Sequence, residues 1–181
     1  MIILCEGPDR CSKDTQIKLI QPLFTDKPLH VLHYSNYKGF ESPEESKEYS
    51  YNIYKSMFEL LYSTYTKNHF ILNRSHIGEH VYAQMYREYS GDYIYNLELY
   101  QKRTHPDFWN TIKLITFIDE VENLIKRDDG LSHTIDPIKK QEEIDRFVIA
   151  TEKSNIIHKK IININGKNIE QVFSEVKGFL K

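Results

Sequence analysis

The stretch that most restricts what this chain can fold into is its beginning. A continuous apolar run, MIILC, is followed at once by EGPDRCSKDTQ, from Glu6 to Gln16. An apolar run this short, bounded by a turn signal, reads as a buried strand, and Gly7-Pro8 ends it. Helical spacing resumes at Thr15-Gln16-Ile17-Lys18-Leu19-Ile20. Strand, glycine-bearing loop and helix in such close order aim successive backbone N–H groups into one concavity beside a helix N-terminus, where the helix dipole favours an anion. Lys13 stands where such a loop keeps a lysine for terminal phosphates. Two letters depart from the pattern G-x-x-x-x-G-K-[ST]: Ser12 replaces Gly, and Asp14 replaces Ser or Thr. Ser12 preserves the N–H of the cradle, at a cost of about 1 kcal/mol or more if its φ is positive. Asp14 replaces a hydroxyl ligand of Mg²⁺ by a carboxylate, which is also a hard oxygen ligand.

Downstream, strand-like and helix-like stretches alternate. Strands are expected at Met1–Cys5, His30–Tyr34, His69–Leu72, Leu114–Ile118 and Lys160–Ile164. Helices are expected at Glu44–Tyr65, Ile77–Tyr89, from Val121 to Lys126, at Lys139–Glu152 and at Ile169–Leu180, with a loop from Ser35 to Pro43. Alternation of this kind calls for crossover connections and so for an α/β sandwich with a mainly parallel, five-stranded sheet. The strands read as continuous apolar runs, as expected where both faces are covered. Ligands of such sheets bind outside the carboxyl ends of the strands. Chemistry is therefore expected in the loops after Cys5, Tyr34, Leu72 and Ile118.

The 181 residues suit one domain, 1–181. With 24 Lys and Arg against 26 Asp and Glu, the net charge of −2 offers no basic field, so no stable nucleic-acid partner is expected. Two cysteines, Cys5 and Cys11, make neither a disulfide framework nor a metal cluster and read as reduced thiols in a cytoplasmic protein. No stretch approaches the roughly 20 apolar residues of a membrane span.

The loop Glu6-Gly7-Pro8-Asp9-Arg10-Cys11-Ser12-Lys13-Asp14-Thr15-Gln16 resembles the E-G-x-D-x-x-G-K-[ST]-T-Q loop of the thymidylate kinase family, in particular the subclass with Arg after the Asp. Asn73-Arg74-Ser75-His76-Ile77-Gly78-Glu79-His80-Val81-Tyr82 is similar to the family's Asp-Arg landmark at the end of the third strand. The stretch Asn73–Arg87 looks most like deoxynucleoside monophosphate kinases of bacteriophages. Asp119 to Arg127 resembles the start of the helix leading to the family's lid, here expected at about 127–138. The resemblance implies a P-loop NTPase three-layer sandwich and a homodimer in the cytoplasm, the host's if viral. It implies transfer of the ATP γ-phosphate to a pyrimidine deoxynucleoside 5′-monophosphate, whether dTMP, dUMP or a C5-modified analogue, with Mg²⁺.

Roles follow from the same resemblance. Gly7, Cys11, Ser12, Lys13, Asp14 and Thr15 would cradle ATP, with Arg127 on its adenine or phosphates and Asp14 on the metal. Lys13 and Arg10 would neutralise the migrating phosphoryl group, which is mostly a matter of positioning and charge. On the acceptor side, Asp9 would meet the sugar 3′-hydroxyl, Arg74 and His33 the monophosphate, and Gly78 and Tyr82 the base. Asn73 stands where the family has Asp, while Asp14 adds a carboxylate, so the charge around the metal would be conserved with its position exchanged. Two other functions fit the same residues. One is a kinase of a nucleoside or modified-base hydroxyl, with Glu6 or Asp9 as general base. The other is a silent nucleotide-binding protein.

Overall fold

The structure is a computed structural model that describes residues 1–34 and 39–181. Its centre is a sheet of five parallel strands, β1 (Ile2–Glu6), β2 (Leu29–His33), β3 (His69–Asn73), β4 (Ile112–Ile118) and β5 (His158–Asn163), in the order β2-β3-β1-β4-β5. Every neighbouring pair is parallel, one step beyond the mainly parallel sheet expected. β1 lies in the middle, and the order reverses there: β3 is on one side and β4 on the other. That is the switch point at which such sheets open a crevice.

Side chains alternate across each strand. From β1, Ile2 and Leu4 enter one core and Ile3 and Cys5 the other. The first core is closed by α2 (Pro43–Thr64), α3 (Ile77–Tyr86), α4 (Tyr93–Thr104), α5 (Pro106–Trp109) and α7 (Pro137–Lys153); the second by α1 (Lys13–Ile20), α6 (Val121–Lys126), α8 (Ile169–Leu180) and Ile144 of α7. Helices thus cover both faces of the sheet. The buried strands are β1, β3 and β4, whereas β2 and β5 are edge strands with exposed positions. Caps define the helix starts. Asp136 accepts from Ile138 N and Lys139 N ahead of α7, and Asn168 forms a capping box with Gln171 ahead of α8.

Two expectations change. The helix expected to reach Tyr89 stops at Tyr86, because Glu88 adopts a φ of 61° and turns the chain back. Between it and β4, where the sequence pattern suggested no element, lie α4 and α5. The buried face of α4 includes Glu98 and Gln101 beside Ile94 and Leu97, which hides its periodicity. Of the expected loop Ser35–Pro43, residues 35–38 lie outside the described residues.

Candidate active site

Gly7 leaves β1 with a φ of 129°, and a Cβ there would lie 2.0 Å from the carbonyl oxygen of Phe117, so only glycine allows the loop to cross β4 this closely. Arg10 and Ser12 both take positive φ, 69° and 64°. Ser12 therefore holds the left-handed geometry usually given to glycine and accepts the backbone strain that goes with it. It is the N-cap of α1 without a side-chain cap bond, and its hydroxyl instead accepts from Arg127 Nη1 at 3.4 Å. Lys13 is buried and curls back along the loop, with Nζ donating to Gly7 O at 2.8 Å and Pro8 O at 2.7 Å. Cys11 is buried beside it, its thiol donating to Pro8 O, and burial pushes its pKa up, so it packs as a neutral thiol.

Parallel register sets the neighbours of this loop. Cys5 of β1 is level with Asn73 of β3, and Asn73 with His33 of β2. Asn73 Nδ2 donates to Asp14 Oδ1 at 2.5 Å, so the two residues that depart from the family pattern in opposite senses are in contact. The side-chain oxygen of Asn73, Oδ1, is buried and has no hydrogen-bond partner among the described residues. Arg74, at a φ of 71°, pairs with Asp9, Arg10 pairs with Asp129, and Arg127 pairs with Asp119. Each arginine expected at the phosphates thus has a carboxylate beside it.

Three cavities run through these residues in sequence. One of about 620 Å³ lies between α6 and the β5–α8 turn and includes Ser12, Arg127 and Gly166. It shares Ser12 and Arg127 with a second, of about 460 Å³, lined by Lys13, Asp14, Thr15, His33 and Asn73. The second shares Asp9, Arg74 and Leu131 with a third, of about 1040 Å³, which runs along α3 past Gly78, Tyr82 and Tyr86 to Arg87. All the sequence-derived candidates except Cys11, which is buried beneath the loop, line this trough.

The wall of the third cavity holds groups that the sequence did not single out in these roles. Glu6 is buried and accepts from Ser75 N and Ser75 Oγ, each at 2.6 Å; burial pushes its pKa up, against the pull of those bonds. Tyr82 donates to Glu143 at 2.7 Å, and Glu143 pairs with Lys140 at 2.7 Å, all three buried. Burial also raises the pKa of Tyr82 far above the usual phenol value. A Cβ on Gly78 would stand 3.5 Å from the Tyr82 ring, in ordinary contact, so glycine is not sterically required there. His133, from the segment between α6 and α7, stacks on Tyr86 at 4.9 Å and sits 5.1 Å from Tyr82. Glu143, a carboxylate at an otherwise apolar position of α7, is the one sequence signal of the Tyr82–Glu143–Lys140 network; the stacking of His133 has no sequence signal.

Solved structures share this architecture. A thymidylate kinase from Candida albicans, reported with a broad substrate specificity and a novel structural element, matches with a TM-score of 0.64 at 15% identity, over 99% of this chain and 90% of that one. The YorR protein of Bacillus subtilis, solved in complex with phosphorylated GDP, matches with a TM-score of 0.65 at 18% identity, over 99% of this chain and 95% of that one. No protein-family model and no curated protein matches the sequence. The likeness is one of fold: this chain shares with the thymidylate kinase an α/β architecture, here a five-stranded parallel sheet with helices on both faces.

Proposed function

We propose that the protein is an ATP-dependent deoxynucleoside monophosphate kinase acting on a pyrimidine deoxynucleotide. The observation that carries this reading is the adjacency of the three cavities, which share Ser12 and Arg127 as lining at one boundary and Asp9, Arg74 and Leu131 at the other. A donor nucleotide would lie with its base against Arg127 and its phosphates over Lys13. The acceptor would lie along α3 with its phosphate at Arg74. The phosphoryl group then passes through the middle cavity, where Lys13 and Arg10 offset the charge on its oxygens. An acceptor that is already an anionic phosphate needs no general base, and Glu6, held by Ser75 with a raised pKa, is left to shape the pocket.

The donor set suits Mg²⁺. Asp14 offers a carboxylate and Asn73 an amide oxygen that is buried without a partner among the described residues, both hard ligands. When bound, the ion would supply positive charge at the phosphates. The segment between α6 and α7, which sends Asp129 to Arg10 and Leu131 and His133 to the acceptor cavity, is read as the lid that keeps water from the reacting group. The kinship with phage enzymes rests on the Asn73–Arg87 resemblance alone, and a homodimer on the resemblance to the family. Among the described residues no helix is long and apolar enough to cross a membrane.

The reading is tested by a coupled ADP-release assay over deoxynucleoside monophosphates, C5-modified pyrimidines included, with and without Mg²⁺. Turnover on a pyrimidine monophosphate that requires Mg²⁺ supports it. Nucleotide binding without turnover on any of them would make the protein a silent binder.

A further inference from the structure

The remote end of the acceptor cavity is built around one guanidinium. Arg87 caps α3, with its backbone N–H donating to Ala83 O, and its side chain lines the cavity. Its Nη1 donates to Glu79 at 2.6 Å. Glu79 is 1% exposed, and its carboxylate also accepts from the hydroxyls of Tyr89 at 2.7 Å and Tyr93 at 3.0 Å. The backbone is shaped to bring those two phenols in. Glu88, at a φ of 61°, reverses the chain after the helix. Gly91 then rides so close that a Cβ on it would meet the carbonyl oxygen of Glu79 at 2.4 Å. Tyr89 is held in turn by Ser46 and Ser50 of α2. A buried carboxylate is costly unless paired and hydrogen-bonded; the two phenols bond Oε1 of Glu79, which leaves Oε2 to hold Arg87. Part of that arginine stays open, its side chain 21% exposed.

Resting on the kinase reading above, we infer that Arg87 is the residue that reads the acceptor base and that it selects bases carrying a carbonyl oxygen on the distal edge. α3 is ten residues long, about 15 Å, with Arg74 before its first turn and Arg87 after its last. An acceptor whose phosphate sits at Arg74 points its base along α3 towards Arg87. A guanidinium has donors only. It complements the 4-oxo group of thymine or uracil, or O6 and N7 of guanine, and it meets the exocyclic amine of cytosine or adenine donor to donor. Glu79, Tyr89 and Tyr93 act through Arg87 and are positioning residues.

The experiment measures affinities of dTMP, dUMP, dGMP, dCMP and dAMP by calorimetry, which needs no turnover, for the wild type, Arg87→Lys and Arg87→Met, each with a thermal melt. The wild type is expected to favour oxo bases by about tenfold to a hundredfold. Arg87→Lys keeps the charge beside Glu79 but loses the planar fork. It should melt near the wild type while its preference falls towards one, with affinity for the oxo bases taking the loss. Arg87→Met should remove the preference altogether. A preference that survives in a stably folded Arg87→Lys, or that is absent from the wild type, overturns the inference. If Arg87→Met does not fold, Arg87→Lys decides alone. A base preference lost with Arg87 in a protein that never turns over would sustain the inference and remove the kinase activity.

Discussion

At the scale of single residues, Ser12, Asp14 and Asn73 are where the proposed phosphate loop can be tested. Ser12 takes the glycine conformation, and Asn73 bonds to Asp14. Groups in contact are energetically coupled, typically by about 0.5–3 kcal/mol. Asp14→Ser and Asn73→Asp are each expected to lower kcat/KM, the second because it sets two carboxylates against each other. The double change should recover part of the loss, since it moves the carboxylate to the neighbouring strand end. Losses that simply add in log kcat/KM, at saturating Mg²⁺, would refute the exchange. His33 gives a second test. Burial, and next Arg74, lower its pKa below 6.5, with Asp14 and Asp9 pulling the other way and Lys13 adding to the depression. The folded state thus binds fewer protons than the unfolded state in that window. The stability His33 contributes is complete above pH 6.5 and is lost as pH falls through its depressed value. NMR titration of its ring should give a midpoint below 6.5 that rises in Arg74→Met; a midpoint at or above 6.5 would contradict this environment.

At the scale of elements, the chain from α3 to α4 carries information that local pattern could not display. Helical propensity alone would let α3 continue beyond Tyr86. It ends where Arg87 and Glu88 turn, because Tyr89 and Tyr93 gain partners on Glu79 by folding back. Two glycines on this unit should respond oppositely to alanine. Gly91→Ala drives a methyl into the backbone of Glu79 and His80, with its nearest atom at 2.4 Å, and should cost about 1–3 kcal/mol in urea unfolding. Gly78→Ala meets only ordinary contacts within a helix, where alanine is favoured by up to about 1 kcal/mol. It should leave stability unchanged or raise it. Similar destabilisation by both would mean that the loop from 88 to 93 does not pack on α3 as described.

At the scale of the whole molecule, the parallel sheet puts the carboxyl ends of β1, β2, β3 and β4 on one edge, and adjacent cavities share lining residues along that edge. A ligand that fills all three at once is therefore expected to bind more tightly than either part. A compound joining adenosine to thymidine through a chain of phosphates should raise the melting temperature more than ATP and dTMP together at the same concentration, as linkage requires of the tighter ligand. Equal or smaller shifts would show that the cavities do not form one site.

The sequence by itself determined the parts that depend on near neighbours. MIILC followed by EGPDRCSKDTQ dictates strand, glycine-bearing loop and helix, and the alternation of strand-like and helix-like stretches dictates the parallel α/β plan, because backbone geometry and periodicity are local properties. It also pointed to Lys13, Arg74 and Tyr82 through short motifs. Tertiary structure alone decided which charges meet. Asp14 reaches Asn73, Arg10 reaches Asp129 and Tyr82 reaches Glu143 across long separations in the chain. Those contacts are set by the strand order and by where each helix returns to the sheet. A carboxylate in the sequence bears no mark of the cation or phenol that will satisfy it, because burial and distance, which make the pairing necessary, exist only once the chain has folded.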